Sequence, residues 1–337
     1  IAREPRWGRN IETPGEDPYL TGEYATHFVQ GMEVAPQDPS HIQASACCKH
    51  YVANSMDAST VAGVSWNREN FDASVTMQDL VDSYMAPFQA CVERGKVSGM
   101  MCSYNAVNGV PSCANDWLLA EVARNDWGFD GYITSDCDAD ADVFRSHHYT
   151  STPEEAVRDV LHAGTDVDCG GFTTAHAQSA LDKGLITEAD IDERMAKLFR
   201  VRMRLSHFDP LGPLDAIPAS TICSAYAKAL AYDGAAQGST LLKNVGATLP
   251  LDKGGAAAAR VAVIGPNANL SASIATYYAG QSPCSGKFWN LVDAVETFAP
   301  NTVSALGLPS VLSTNLSGIP AAVAMAKGAS TVIMAVG

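Results

Sequence analysis

Residues Gly131–Asp142, with the sequence GYITSDCDADAD, place an acidic cluster directly after a short apolar run. The residues at 131–134 follow the breaker-rich segment 127–130 and end at Ser135-Asp136, a pattern that predicts a buried strand. Asp136 would then lie at the carboxyl end of the strand, which faces the ligand in parallel α/β folds. The local pattern alone favours another role, because Asp is also a preferred N-cap of a following helix.

The composition is that of an acidic globular chain. Its 337 residues are 47% hydrophobic and 18% charged, and the formal net charge is −15. This charge disfavours nucleic acid and anionic membrane surfaces as partners, since both bind basic patches. The longest apolar runs are also too short to span a membrane. We therefore expect an uncharged substrate.

The nine cysteines do not define a scaffold from the sequence alone. Their spacings do not form the paired CxxC pattern of a zinc site, and the odd number leaves at least one cysteine free. The pairing of the others stays open at this point. Two sequons, at Asn269 and Asn315, would accept glycans in a secreted chain.

The order of strand, polar tip and helix recurs four times in the first part of the chain. The predicted strands cover 44–51, 97–104, 131–134 and 164–169, and the predicted helices cover 20–32, 77–93 with an interruption at Pro87, 116–124, a segment opened by Pro153, and 191–205. Such an order implies a parallel sheet with right-handed crossovers. A unit of roughly 40 residues suits a (β/α)8 barrel of the TIM type, of which about half would be present.

We predict three parts along the chain. Residues 1–208 would form the carboxyl-terminal part of the barrel, 209–222 a proline-rich linker, and 223–337 the first part of a second α/β domain. The chain opens on a loop-like segment and closes inside the strand-like TVIMAVG at 331–337. We therefore expect an internal fragment of a longer protein.

Polar side chains follow each of the four predicted strands. They are Lys49 and His50, Tyr104, Asp136 with Asp138, and Asp166 with Asp168. The carboxyl ends of parallel strands meet at one edge of the sheet, so we expect these tips to converge. A carboxylate among Lys, His and Tyr is typical of a site that binds hydroxyl groups and uses an ionised acid as nucleophile or base.

The aspartates at alternate positions from 136 to 142 also suggest a possible metal-binding site. A calcium loop would need Gly in place of Ala141 and Glu in place of His147, and it has neither. A magnesium-dependent phosphatase, with the pair Asp136-x-Asp138 accepting the phosphate, stays open. We interpret the acids after the nucleophile candidate as a solvated helix start, and they are Asp138, Asp140 and Asp142. The sequence indicates no metal site and no cofactor.

Five segments together resemble family-three glycoside hydrolases. They are PRWGRNIETPGEDPYLTGEYA at 5–25, CCKHYVAN at 47–54, MCSYNAVNGVPSCA at 101–114, GFDGYITSDCDA at 128–139 and TLLKNVGATLPL at 240–251. The SDC tripeptide, ETPGEDP and HYTSTPEEA resemble the β-xylosidase branch, which includes bifunctional xylosidase/arabinofuranosidases. The β-glucosidase branch usually has Trp where this chain has Cys137.

The resemblance implies an exo-acting retaining glycoside hydrolase. It would release terminal β-D-xylose from xylo-oligosaccharides, or cleave aryl or alkyl β-xylosides, through a covalent glycosyl-enzyme. The implied nucleophile is Asp136, and the implied sugar-binding residues are Arg9, Glu12, Lys49, His50 and Tyr104. Two alternatives remain: Arg9 as a structural ion-pair partner of Glu12 or Glu16, and Tyr104 as a packed aromatic residue.

The resemblance also implies that the general acid/base lies outside this chain. In the family it is a Glu from the second, α/β sandwich domain, shortly after a strand that resembles 331–337. We therefore expect the fragment to be inactive by itself, and a non-catalytic carbohydrate-binding or pseudoenzyme role is the alternative. Together with the sequons, the resemblance implies secretion. Preference among xylosides, arabinofuranosides and glucosides, and the oligomeric state, stay open.

Overall fold

The computed structural model describes residues 1–36, 38–212, 216–252, 259–271, 284 and 286–337. The chain divides into two compact units, Ile1–Leu211 and Gly212–Gly337. Residues 213–215, which belong to the predicted linker at 209–222, lie outside the described residues.

The elements follow one another in mixed order. The β-strands are β1 (Cys47–Tyr51), β2 (Ala58–Val61), β3 (Val64–Asn67), β4 (Asp72–Ala73), β5 (Gly99–Cys102), β6 (Ala106–Val107), β7 (Val110–Pro111), β8 (Tyr132–Ser135), β9 (Val261–Ile264), β10 (Val303–Ala305) and β11 (Thr331–Met334). The α-helices are α1 (Pro18–Glu33), α2 (Met77–Asp79), α3 (Ala86–Glu93), α4 (Ala139–Arg145), α5 (Pro153–Ala163), α6 (Phe172–Asp182), α7 (Glu188–Arg204), α8 (Ala225–Gly238), α9 (Leu291–Glu296) and α10 (Ile319–Lys327). Two π-helical segments (Leu80–Met85, Trp117–Asp126) and four 3-10 turns (Gly8–Glu12, Ser112–Ala114, Ala219–Thr221, Val245–Ala247) complete the described set.

A parallel sheet in the order β1–β5–β8 forms the centre of the first unit. Met100 of β5 pairs with Cys48 on one side and with Ile133 on the other. Ile133 and Thr134 are consecutive residues of β8, so their side chains point to opposite faces, and both are buried. Both faces of the sheet are therefore covered at β8, as expected for parallel strands. The structure confirms the α/β class and brings the carboxyl ends of three predicted strands to one edge.

The predicted strand at 164–169 is wrong. This segment makes a single parallel bridge, between Val167 and Thr134 of β8. The backbone N–H of Ile133 donates to the side-chain Oδ2 of Asp166 at 2.7 Å, so a carboxylate takes a place that a strand carbonyl would take in a regular ladder. The segment therefore lies beside β8 without forming a strand.

Local signals define the helices well. Both α5 and α7 begin with a capping box, in which Thr152 pairs with Glu155 and Thr187 pairs with Asp190. The predicted interruption at Pro87 corresponds to a change from π-helical to α-helical bonding at Ala86. Proline has no N–H to donate, so it fits the first turn of the new helical segment.

An exposed hairpin, β2–β3, follows the first strand and was not predicted. Ala62 and Gly63 both have positive φ, 51° and 81°, which is the backbone of a two-residue type I′ turn. The segment after the hairpin forms β4, which pairs with β6. This pairing connects the chain after β3 to the chain after β5.

The second unit contains a parallel sheet in the order β10–β9–β11, in which β11 falls within the strand-like segment predicted at 331–337. Val261 and Val263 of β9 are buried in its core with Ala268 and Ala299. The sequon residues Asn269 and Asn315 are both exposed.

Eight of the nine cysteines pair in disulfides, and Cys47 is free. The pairs are Cys48–Cys91, Cys102–Cys113, Cys137–Cys169 and Cys223–Cys284. The sequence count predicted at least one free cysteine but left these pairs open. Among the described residues, the structure contains no helix with the length and apolar character needed to cross a membrane.

Candidate active site

Asp136 directly follows β8 and is half-buried. Its backbone N–H donates to the carbonyl of Cys102 at 3.0 Å, and its Oδ1 accepts the N–H of Cys137 at 2.8 Å. The N-cap position of α4 belongs to Asp138, and the side chain of Asp138 makes no capping hydrogen bond. The capping role that the local sequence pattern favoured for Asp136 is therefore wrong, and its carboxylate is held at the sheet edge.

His50 faces this carboxylate from the end of β1. Its Nε2 lies 3.3 Å from Oδ2 of Asp136 and 3.4 Å from Nη2 of Arg9. Burial is the main cause that lowers the pKa of His50 to about 3, and the positive charges of Lys49 and Arg9 add to it. The imidazole is therefore neutral over the working range of most enzymes, with one nitrogen to donate and one to accept.

Arg9 and Glu12 form a bidentate ion pair beside His50. Nε and Nη2 of Arg9 donate to the two carboxylate oxygens of Glu12 at 2.7 Å and 2.9 Å. Nζ of Lys49 lies 3.8 Å from the same carboxylate. The hydrogen bond from Arg9 lowers the pKa of Glu12. The structural ion pair considered for Arg9 is thus present, and it brings Arg9 to the predicted site at the same time.

Tyr104 lies just past β5 and is 7% exposed. Its backbone carbonyl accepts a hydrogen bond from Nε2 of His147 at 2.7 Å. The side chain of Tyr104 is close enough to Asp136 to lower the pKa of its carboxyl. Tyr104 is therefore a packed aromatic residue that also faces the candidate nucleophile.

Opposing influences set the pKa of Asp136. Burial raises it above the ordinary value of an aspartate, and this influence is the largest. The N–H of Cys137, the side chain of Tyr104 and the charges of Arg9 and Lys49 act in the other direction. These groups offset part of the effect of burial, and the net pKa of the Asp136 carboxyl remains above its ordinary value.

We expect Lys49→Met to move the acid limb of the pH–activity profile to higher pH. Removing a positive charge near Asp136 raises the pKa of its carboxyl further, so the ionised form is lost earlier as the pH falls. The measurement is kcat/KM against pH in the full-length protein. Lys96→Met, at an exposed lysine, is the matched control and should leave the limb in place. An unchanged limb in Lys49→Met would contradict the electrostatic role.

The loop after Asp136 is joined to the segment 168–173. Cys137 forms a disulfide with Cys169, whose carbonyl accepts the N–H of Asp138 at 2.8 Å. The N–H of Cys169 donates to Oγ of Ser135 at 2.9 Å. The residues on both sides of Asp136, Ser135 and Cys137, are therefore both attached to Cys169, which fixes the backbone around the candidate nucleophile.

The acids after Asp136 differ from the predicted solvated helix start. Asp138 is exposed as predicted, but Asp140 is 0% and Asp142 8% exposed. Asp140 accepts a hydrogen bond from Oγ1 of Thr173 at 2.7 Å, and Asp142 accepts one from Oγ of Ser146 at 2.5 Å. Burial raises the pKa of Asp140 and of Asp142 to about 6. The solvated interpretation is wrong for these two because the start of α4, residues 139–143, is buried on all sides.

Asp166 does not join the site, contrary to the prediction. Its side chain is completely buried and pairs with Arg124 at 2.5 Å and Arg194 at 3.3 Å. The bridge of Val167 to Thr134 places it level with Ile133, below the strand tip. Asp168, two residues further along, is level with the end of β8.

Arg68 is a site residue that the sequence analysis missed. Its guanidinium carbon lies 5.0 Å from the ring centroid of Tyr104, and its charge helps to lower the pKa of His50. The alternation of VSWN at 64–67, directly after Gly63, is the only local hairpin signal next to it, and it is a weak one. In the described part of the chain, no three His, Cys, Asp or Glu side chains are grouped so that they could hold a metal ion.

A strand-end carboxylate with cationic, imidazole and phenol groups around it is typical of an α/β protein that binds a polar, hydroxyl-bearing ligand at the carboxyl edge of its sheet. Residues 1–201 match the family model described as the glycosyl hydrolase family 3 N terminal domain. The chain belongs to glycosyl hydrolase family 3.

Relatives and solved structures agree with this family. The chain is 40% identical to beta-D-xylosidase 1 of Arabidopsis thaliana, over all of this chain and 42% of the relative. It is 41% identical to beta-xylosidase/alpha-L-arabinofuranosidase 2 of Medicago sativa subsp. varia, over 99% of this chain and 42% of the relative. A GH3 exo-beta-xylosidase (XlnD) in complex with a xylobiose aziridine probe has a TM-score of 0.84 and 34% identity, over 99% of this chain and 42% of that one. The chain thus spans less than half the length of the relatives it matches.

Proposed function

We propose that this chain carries the nucleophile and the sugar-binding residues of an exo-acting retaining glycoside hydrolase that releases terminal β-D-xylose from xylo-oligosaccharides. The observation that carries the proposal is the half-buried carboxylate of Asp136 at the sheet edge, within 3.3 Å of neutral His50. The names of the relatives support the choice of xylosides.

In the proposed reaction, an ionised oxygen of Asp136 attacks the anomeric carbon of the terminal xylose while the glycosidic bond breaks. A general acid gives its proton to the leaving oxygen, and a covalent glycosyl-enzyme results. Water, deprotonated by the same acid/base group, then attacks the anomeric carbon and frees the carboxylate. We place that acid/base group outside this chain, on a Glu of the second domain.

The other site residues have distinct proposed tasks. The charges of Arg9 and Lys49 keep the carboxylate ionised and ready to attack. The paired groups Arg9 and Glu12 offer donors and acceptors side by side, which suits two neighbouring hydroxyls of a sugar. Neutral His50 can donate to one group and accept from another, whereas a charged imidazole could only donate.

The residue after the nucleophile supports the xyloside preference. Cys137 is tied to Cys169, so the position where the β-glucosidase branch usually has Trp is occupied by a disulfide. The relative from Medicago is described as acting on arabinofuranosides as well, and this activity is the second substrate class that we propose to test.

We further propose that the sheet β1–β5–β8 belongs to a (β/α)8 barrel and that the second unit opens an α/β sandwich domain. The sheet-edge location of the site agrees with such a barrel. We also propose that the protein is secreted. Four disulfides favour an oxidising compartment, and the two sequon asparagines are exposed to glycosylation.

The test compares three aryl glycosides, a β-D-xyloside, a β-D-glucoside and an α-L-arabinofuranoside, with the full-length protein. We expect the xyloside to have the highest kcat/KM, and an aziridine xylobiose probe to label the peptide that contains Asp136 in mass spectrometry. Residues 1–337 alone should be slower by on the order of 10²–10⁴-fold, the usual contribution of general acid–base catalysis. A preference for the glucoside, or a label elsewhere, would overturn the proposal.

A further inference from the structure

The hairpin β2–β3 brings one charged residue towards the site, although its own strands are solvent-exposed. Ala58 pairs with Asn67 at the base of the hairpin, and the next residue, Arg68, is half-buried. The N–H of Arg68 donates to the carbonyl of Asp57 at 2.9 Å, which closes the base. The backbone of Arg68 is therefore fixed at the inner end of an exposed element.

A turn and a short strand pair connect this point to the chain beyond Tyr104. Asn67 accepts the N–H groups of Asn70 and Phe71 at its carbonyl, at 3.2 Å and 3.1 Å, and its Oδ1 accepts the N–H of Glu69 at 3.0 Å. The carbonyl of Phe71 accepts the N–H of Ala106 at 3.0 Å, and β4 pairs with β6 directly after it. Backbone hydrogen bonds therefore hold the segment after Arg68 and the segment after Tyr104 together.

The side chains of these two segments meet. The guanidinium carbon of Arg68 lies 5.0 Å from the centroid of the Tyr104 ring, inside the range of a cation–π contact. A cation over the ring restricts its rotation and withdraws electron density from the phenol. Both effects favour hydrogen-bond donation by the hydroxyl, and Asp136 is the acid that this side chain faces.

We propose that Arg68 is a positioning residue of the glycosidase site, which acts through Tyr104 on Asp136. The inference rests on the proposed function. The same cation lies among the charged groups around His50, which are Arg9, Glu12, Lys49 and Asp136. Arg68 thereby adds to the positive potential that keeps this part of the site suitable for an ionised nucleophile.

The kinetic test uses Arg68→Met, Arg68→Lys and the control Arg145→Met in the full-length protein with an aryl β-xyloside. Arg68→Met should lower kcat and kcat/KM together by about 3- to 30-fold, the range of one cation–π contact, with KM little changed. Arg68→Lys keeps a cation and should retain most of the rate. Arg145 lies over the ring of Phe172 at 5.4 Å, so the control removes a similar contact elsewhere.

The Tyr104→Phe background shows whether Arg68 acts through the phenol. Phe keeps the ring but lacks the hydroxyl, so the loss caused by Arg68→Met should disappear in this background. A loss of unchanged size there, or wild-type kinetics of Arg68→Met, would overturn the inference.

A second measurement needs no turnover. With 3-fluorotyrosine placed at position 104, the ¹⁹F resonance should shift in Arg68→Met and not in Arg145→Met. An unshifted resonance overturns the inference whatever the activity. Absence of xyloside turnover in the wild type together with the expected shift would instead count against the proposed function and leave the contact supported.

Discussion

Asp136→Ala is expected to lower kcat/KM for an aryl β-xyloside by on the order of 10⁴-fold or more, since removal of a covalent nucleophile costs this much in other hydrolases. The variant keeps the neighbours of Asp136 but has no oxygen to attack the anomeric carbon. The backbone N–H of Asp136 still donates to Cys102, so the end of β8 should keep its position. The measurement is single-turnover kinetics in the full-length protein.

External anions separate the loss of the nucleophile from a loss of structure. Azide or formate can enter the space that the carboxylate leaves and attack in its place. We expect azide to restore turnover of a xyloside with a good leaving group and to give the α-xylosyl azide, which has the inverted configuration. A product with the β configuration would contradict the assignment of Asp136 as the nucleophile.

The matched control is Asp138→Asn. Asp138 lies two residues further along, is exposed and has a φ of 66°, which Asn tolerates well. The control should keep near-normal turnover. A loss in Asp138→Asn as large as that in Asp136→Ala would contradict the assignment of the nucleophile to Asp136 alone. The Asp-x-Asp phosphoryl chemistry that the sequence left open is tested separately, with an aryl phosphate as substrate.

Local sequence signals were sufficient to place the parts of the site. The strand predicted at 131–134 is β8 at Tyr132–Ser135, and the breaker-rich start and polar end define it. Parallel strands emerge at one edge, so placing β1, β5 and β8 correctly was enough to bring His50, Tyr104 and Asp136 together. The catalytic and binding roles of these residues stay predictions until the variants are measured.

What the sequence could not show depends on distant contacts. Asp140 and Asp142 alternate with alanines in the sequence, and this pattern suggested solvent-exposed acids. In the structure both side chains are buried at the start of α4. The partner of Asp140 is Thr173, which is 33 residues away along the chain. The position of Arg68 over Tyr104 likewise depends on the pairing of β4 with β6. The helical or strand periodicity of a short segment carries no information about such contacts between distant segments.

Asp166 is another residue whose role depends on distant contacts, here with Arg124 and Arg194. Its replacement is therefore expected to have a large effect on stability. Asp166→Ala is expected to destabilise the fold by about 3–5 kcal/mol, the usual consequence of removing one partner from a buried ion pair. It would leave the guanidinium groups of Arg124 and Arg194 without their shared carboxylate. It would also leave the N–H of Ile133 without its acceptor at the centre of β8. The measurement is chemical unfolding of the full-length protein.

Two further variants separate charge from position. Asp166→Asn keeps an acceptor for the N–H of Ile133 and removes only the charge, so its loss of stability should be smaller than that of Asp166→Ala. Asp130→Ala breaks an exposed pair with Arg200 and should cost no more than about 1 kcal/mol. If Asp166 belonged to the sugar site, as the strand-tip pattern predicted, its variants would fold normally and lose turnover. The buried pair with Arg124 and Arg194 predicts the opposite result, namely lower stability with near-normal kcat at temperatures where the variant remains folded.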